Sequence, residues 1–228
     1  MDVAQLAAEA DEYKPARHYT IVLLGAAQSG KTTFAANASL LHCGSRLPGK
    51  PTRSVVTETV ERDLPNGAIA SFTTYEYGGS HPDLLSRQVP PDVVYPRAHL
   101  RTLCTGANVV GLFYKHQNEA HWRDVAGRWA NAALESIANS PIQPFVFAVE
   151  TYRDASTTNE SLRMSKLRTE TFLYQTFGRA FLFFQIDARS ADMCSAVMGE
   201  IMAQLCVQKQ SLKDFYGQTD AGHACIIC

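Results

Sequence analysis

The chain of 228 residues predicts one α/β domain, built on a doubly wound, mostly parallel six-stranded sheet with helices on both faces. Two observations carry that expectation. Strand-like apolar runs alternate with helical stripes along the chain, the order that builds parallel sheets. The first such run, Ile21-Val22-Leu23-Leu24, passes directly into Gly25-Ala26-Ala27-Gln28-Ser29-Gly30-Lys31-Thr32-Thr33. This segment fills the phosphate-loop pattern G-x-x-x-x-G-K-[ST] between a strand and a helix. In a doubly wound sheet that turn lies at the carboxyl edge, where ligands bind.

Ahead of the first strand, Val3, Leu6 and Ala10 stand at helical spacing among Asp2, Glu9, Asp11 and Glu12. Residues 1–18 therefore read as a short acidic extension to a core spanning 19–208. The extension lacks the basic face of a membrane-surface helix, and Asp2 stands where N-myristoylation demands glycine. A helix is expected from Lys31 to about His42. A loop with Gly44, Pro48, Gly49 and Pro51 then leads to the β-rich run Val55 to Glu61, which the turn Pro65-Asn66-Gly67 joins to Ala68 to Tyr75 as a hairpin. Ala107 to Tyr114, Pro144 to Glu150 and Ala180 to Ile186 are apolar enough for strands covered on both faces. Trp122, Val125, Ala126, Trp129, Ala133 and Ile137 recur at mostly helical steps, as do Cys194, Val197, Met198, Ile201, Met202 and Leu205. Core packing is the reading of both stripes.

Composition narrows the partners. Lys and Arg number 21 against 22 Asp and Glu, a net charge of −1, so no basic field marks a nucleic-acid surface and nucleic acid is not an expected partner. The 6 cysteines are mostly isolated and no signal-peptide pattern is present, which points to a reducing, cytoplasmic setting. No apolar run approaches the roughly 20 residues of a spanning helix. The 7 histidines never pair at metal-ligand spacing and read as surface or half-buried residues.

The phosphate loop carries the chemistry. Gly25 and Gly30 permit backbone angles and approaches that a side chain blocks, so the N–H groups of Ala26, Ala27, Gln28, Ser29 and the turn into Thr33 point inward at an anion. Lys31 adds a point charge for the outer phosphates, and the Thr32 hydroxyl stands where Mg²⁺ takes an oxygen ligand.

Gly30-Lys31-Thr32-Thr33, Pro51-Thr52, Val56-Thr57-Glu58-Thr59-Val60-Glu61 and Tyr75-Glu76-Tyr77-Gly78-Gly79 together resemble the small GTPases of the Ras superfamily, nearest the ADP-ribosylation factor (Arf-like) group. That group carries Gly-Lys-Thr-Thr, a switch I Pro-Thr, a Val-Glu-Thr-Val strand and a Trp-Asp-Val-Gly-Gly segment at closely similar spacing. The likeness in layout runs from Tyr19 to Gln208. The loop looks equally like that of heterotrimeric G-protein alpha subunits, but no inserted helical domain fits between Lys31 and Thr52.

The resemblance implies GTP or GDP with Mg²⁺ as ligands. By position, Thr52 is the switch I threonine that reaches Mg²⁺ when a γ-phosphate is present, with Thr57 as its competitor. Gly79 offers its N–H to that phosphate. Lys31, Thr52 and Gly79 thus form the implied catalytic set, and Thr32, Thr52 and Glu76 the implied metal set. Glu76 replaces an aspartate and is one methylene longer, which disturbs a water-mediated metal contact. Ser80-His81 replaces the glutamine that orients water, so intrinsic GTP hydrolysis is expected to be slow.

For the base, the family's Asn-Lys-x-Asp corresponds to Thr151-Tyr152-Arg153-Asp154, in which Asp154 reads guanine and Tyr152 stacks. An acidic turn capping the next helix gives the same pattern. Asp187-Ala188-Arg189 takes the place of the family's last base-contacting segment, with the Ala188 N–H aimed at the guanine O6; a plain strand-end turn looks the same.

Residues 209–228 form a tail ending Cys225-Ile226-Ile227-Cys228, which fits prenylation at Cys225, although Cys228 is an unusual last residue. Only Lys209 and Lys213 precede it, so there is no polybasic second anchor. An unmodified tail and a Cys225–Cys228 redox pair are the alternatives. Such an anchor is closer to Ras and Rab usage, and it implies a peripheral position on an intracellular or plasma membrane face. These features imply a guanine-nucleotide switch in trafficking or signalling, with effector, exchange-factor and activating proteins. One rival is a pseudo-GTPase scaffold. Another is a small-molecule or nucleotide kinase, for which Arg163, Arg168 and Arg179 along a helix do not resemble a lid.

Overall fold

A computed structural model describes residues 17–40, 55–65, 67, 69–77, 100, 102–138, 140, 144–152, 158–178 and 181–217. Its strands are β1 (Arg17–Gly25), β2 (Val56–Asp63), β3 (Ile69–Glu76), β4 (Val109–Lys115), β5 (Phe145–Thr151) and β6 (Phe181–Ile186). They form a single six-stranded sheet in the order β2-β3-β1-β4-β5-β6. The β2–β3 hairpin is antiparallel and the other neighbours are parallel, as expected of a doubly wound sheet.

Among the described residues, the sheet is accompanied by α1 (Lys31–Asn37), α2 (Glu119–Asp124), a π-helical turn (Val125–Trp129), α3 (Ala130–Ile137), α4 (Asn159–Phe177) and α5 (Ala191–Gly217), with further helical residues at 100 and 102–105. Successive β1 side chains point to opposite faces, and the core divides accordingly. Ile21 and Leu23 join Phe34 of α1 and Cys194, Met198 and Ile201 of α5 on one face. Val22 and Leu24 join Trp122, Val125, Trp129 and Leu173 on the other. Burying each large apolar side chain contributes about 1.5–3 kcal/mol, so both helical stripes earn their place as core.

Several boundaries differ from expectation, the last helix among them: α5 runs to Gly217, so the residues from 209 to there are helix and not the start of a tail. β1 begins at Arg17, because Arg17 and His18 pair with Ala70 and Ser71 of β3; these two residues belong to the sheet and not to the extension. α1 ends at Asn37 rather than near His42. Ser39 takes a φ of 52°, and the Leu40 N–H turns back to the Ala35 carbonyl at 2.8 Å, drawing Leu40 into the core. β5 runs through Thr151, which therefore closes a strand instead of opening the loop after it. Among the described residues no helix is long and apolar enough to cross a membrane.

Candidate functional site

At the carboxyl end of β1, two glycines hold the loop in shapes closed to other residues. Gly25 has a φ of 146°, and a Cβ there would stand 2.2 Å from the Phe113 carbonyl oxygen of β4. Gly30 has a φ of 92°, and a Cβ there would stand 2.8 Å from Thr151 Cγ2. Between them Gln28 is left-handed at 61°, so the chain curls tightly over the ends of β4 and β5.

Lys31 folds back into this curl. Its Nζ donates to the Gly25 and Ala26 carbonyls, both at 2.8 Å, and to Ser29 Oγ at 3.3 Å. The side chain is only 4% exposed. Burial lowers its pKa to about 8, while the Glu76 carboxylate acts in the opposite direction. An ammonium ringed by carbonyls in a desolvated pocket attracts an anion strongly, because the missing water no longer screens it.

Thr32 and Glu76 meet beside the lysine. Thr32 Oγ1 donates to Glu76 Oε1 at 2.6 Å, and Glu76, the last residue of β3, is 1% exposed. The register that pairs Leu23 with Glu76 brings the carboxylate to the loop. Two hard oxygen donors side by side suit Mg²⁺, which takes one or two protein oxygens and completes its octahedron with phosphate oxygens and water. The longer Glu76 side chain reaches the Thr32 hydroxyl directly, so a metal entering between them must replace that hydrogen bond. Thr33 is exposed on the first turn of α1, while Ala26 and Ser29 are buried, Ala27 is half-buried and Gln28 is exposed.

Thr151 braces the loop from below. Its hydroxyl lies 3.0 Å from the Ser29 carbonyl and 3.3 Å from that of Tyr114, so β4, β5 and the phosphate loop meet at one atom. The Tyr152 N–H donates to the Ile186 carbonyl at 3.0 Å, and its hydroxyl lies 3.9 Å from Met193 Sδ. The Ala188 carbonyl accepts from Asn37 Nδ2 at 2.7 Å and from Cys194 Sγ at 3.3 Å, which pins the turn after β6 to α1 and α5. The structure thus brings Gly25 through Thr32, Glu76, Thr151 and Ala188 to one edge of the sheet. Thr57 is exposed on the edge strand β2, opposite Tyr75, and not at the loop. Thr52, Gly79, Ser80, His81, Asp154 and Cys225 lie outside the described residues.

One knot of polar side chains escaped the sequence reading. Glu150, wholly buried in β5, meets His116 Nδ1 at 2.7 Å, accepts from Gln185 Nε2 at 2.7 Å and accepts from Ser165 Oγ. His116 is therefore buried, against the expectation of surface or half-buried histidines, and its other nitrogen lies 3.2 Å from Ser161 Oγ. Three donors compensate the buried carboxylate and bind β4, β5, β6 and α4 together one residue from Thr151. The only hint in the sequence is a glutamate inside the apolar run of β5. Glu150→Gln sets an amide N–H against one of these donors. It is expected to cost about 1–3 kcal/mol, read as a lower urea midpoint.

Arg168, weighed as a kinase-lid residue, lies over the Trp122 ring at 4.5 Å and pairs with Glu119 at 3.0 Å. It ties α4 to α2. Compared with known proteins, the chain matches no protein-family model and no curated protein.

Proposed function

We propose that this chain is a guanine-nucleotide-binding switch of small-GTPase type, nearest the Arf-like group, with slow intrinsic hydrolysis. The observation that carries the reading is Lys31, buried and ringed by the Gly25 and Ala26 carbonyls inside a two-glycine loop. Lys31 and the loop amides hold the phosphates, and Thr151 keeps the loop in register with β5. In this reading Thr32 and Glu76 would hold Mg²⁺, which when bound would neutralise charge on the outer phosphate oxygens. Thr52 and Gly79 sense the γ-phosphate, Asp154 reads the base, and Ala188 closes the pocket edge. Cys225 supplies a lipid anchor on a cytoplasmic membrane face, and effector, exchange-factor and activating proteins are the partners.

The 2.6 Å contact between Thr32 and Glu76 favours a second reading. In a pseudo-GTPase scaffold, that bond persists and the loop binds phosphate without a metal-dependent cycle. Extraction of the nucleotide that co-purifies with the recombinant protein, followed by binding of GDP, GTP and ATP with and without Mg²⁺, tests both. Guanine nucleotide should be recovered and should bind at least about tenfold more tightly than ATP, because adenine offers the Asp154 carboxylate an N1 lone pair and a C–H where guanine offers two N–H donors. Adenine nucleotide in the extract, or equal affinities, would refute guanine recognition. Binding indifferent to Mg²⁺, with no turnover, selects the scaffold.

A further inference from the structure

Glu150, His116 and Ser161 form a line of contacts that the nucleotide reading leaves without a task. Glu150 Oε1 lies 2.7 Å from His116 Nδ1, and His116 Nε2 lies 3.2 Å from Ser161 Oγ. The carboxylate is wholly buried near the end of β5 and is held in place by Gln185 and Ser165. An acceptor-only oxygen at Nδ1 keeps a proton on that nitrogen, so in the neutral ring the Nε2 lone pair faces the serine hydroxyl. The Ser161 proton has a second acceptor within reach, the Thr158 carbonyl at 2.9 Å. A turn of the hydroxyl about its C–O bond moves the proton from one acceptor to the other.

Unlike its two partners, Ser161 is only half-buried. It stands on the first turn of α4, where its N–H donates to Thr158 Oγ1 at 3.2 Å. The N–H groups of Asn159 and Glu160, the first two of the helix, have no carbonyl partner within it and mark its positive end, where developing negative charge is favoured. Met164, one turn farther along and 58% exposed, offers apolar surface beside the hydroxyl. A serine hydroxyl within reach of an imidazole, itself oriented by a buried carboxylate, is the arrangement that makes serine a nucleophile.

We propose that Ser161, His116 and Glu150 form an acyl-transfer site that cleaves carboxylic esters with an apolar acyl group, an activity separate from the phosphate loop. Ser161 Oγ attacks the ester carbonyl carbon while His116 Nε2 takes its proton, and the C=O electron pair moves onto the oxygen at the positive end of α4. When that pair returns, the bond to the leaving alkoxide breaks and His116 gives the alkoxide its proton, leaving an acyl-serine and an alcohol. Water then gives a proton to the same nitrogen and attacks the acyl carbon. Ser161 leaves with that proton, and the carboxylic acid is released. Glu150 remains a carboxylate throughout, as the positioning residue of the imidazole.

The test treats the full chain with an alkyl fluorophosphonate and, separately, with p-nitrophenyl butyrate. The wild type should gain a phosphonyl group on Ser161 with loss of fluoride, located by peptide fragmentation, and should hydrolyse the ester faster than buffer alone. Ser161→Ala should lose both reactions and still bind GDP within about twofold of wild type, which separates this site from the phosphate loop. His116→Gln should slow the labelling by roughly a hundredfold or more. His116 belongs to the buried polar knot, so Ser161→Cys supplies a measure that leaves the knot intact. Its thiol should react with iodoacetamide near pH 7 roughly tenfold faster in the folded chain than in urea, because a paired imidazole favours the thiolate. An unlabelled Ser161, ester hydrolysis that survives in Ser161→Ala, or a thiol in Ser161→Cys no faster folded than unfolded would each overturn the inference and leave the nucleotide reading untouched.

Discussion

Lys31→Ala should weaken nucleotide binding by about a hundredfold or more, measured by calorimetry or displacement of a fluorescent nucleotide. Removing a buried ammonium from an anion site forfeits charge-assisted hydrogen bonds of about 1.5–3 kcal/mol each. It also leaves the Gly25 and Ala26 carbonyls facing the phosphates without the cation that now covers them. The same lysine sets a pH signature. In the free protein Lys31 loses its proton at about 8, whereas a bound phosphate holds the proton to higher pH. Binding therefore takes up a proton above that point, and affinity should fall by up to about tenfold per pH unit.

The ligand-free fold should respond in the opposite sense. Below pH 8 folded and unfolded chains both carry the charged lysine, and the full burial cost opposes folding. Between about 8 and the ordinary value of 10.5 the folded state gives up its proton first, so the unfolded state binds more protons and stability rises, by on the order of 3 kcal/mol. Urea unfolding of nucleotide-free protein across that window is the measurement, and a flat profile would argue against a desolvated lysine.

Gly25→Ala should be the most damaging single methyl group on the loop. The Cβ would lie 2.2 Å from the Phe113 carbonyl oxygen, which belongs to the backbone of β4 and is locked by the Gly25–Phe113 register. Relief requires opening the β1–β4 ladder or moving φ away from 146°. A loss of roughly 3–5 kcal/mol is expected, seen as a collapse of soluble yield or of the urea midpoint. Gly106→Ala, where an added Cβ meets nothing within 4 Å, serves as the matched control and should stay within about 0.5 kcal/mol.

The sheet and the phosphate loop could be read in advance for physical reasons. Parallel strands buried on both faces are mostly apolar, and Ile21 to Leu24 of β1, Val109 to Tyr114 of β4 and Phe145 to Val149 of β5 are such runs. The loop needs glycine where a Cβ would strike neighbouring strands, and Gly25 and Gly30 stand there. The polar knot was hidden because its members, His116, Glu150, Ser165 and Gln185, come from four elements and meet only after the sheet assembles. The expected length of α1 failed because Phe34-Ala35-Ala36-Asn37-Ala38-Ser39-Leu40 suits a helix locally, while the core claims Leu40 more strongly than the helix does. Thr151 slid from loop to strand because its hydroxyl bonds to two carbonyls at the strand end.

Tyr77 follows β3 directly. Its N–H donates to the Leu23 carbonyl at 3.0 Å, and its ring meets Trp129 edge-on at 5.8 Å between centroids. The implied γ-phosphate sensor, Gly79, lies two residues farther along the chain. Trp129 is one of only 2 tryptophans in the sequence, so the molecule carries an intrinsic optical gauge at the point where the chain leaves the sheet. Any rearrangement that lifts Tyr77 from its seat changes the surroundings of the Trp129 indole, and with Trp122 replaced by Phe the emission spectrum follows that event in real time without a label.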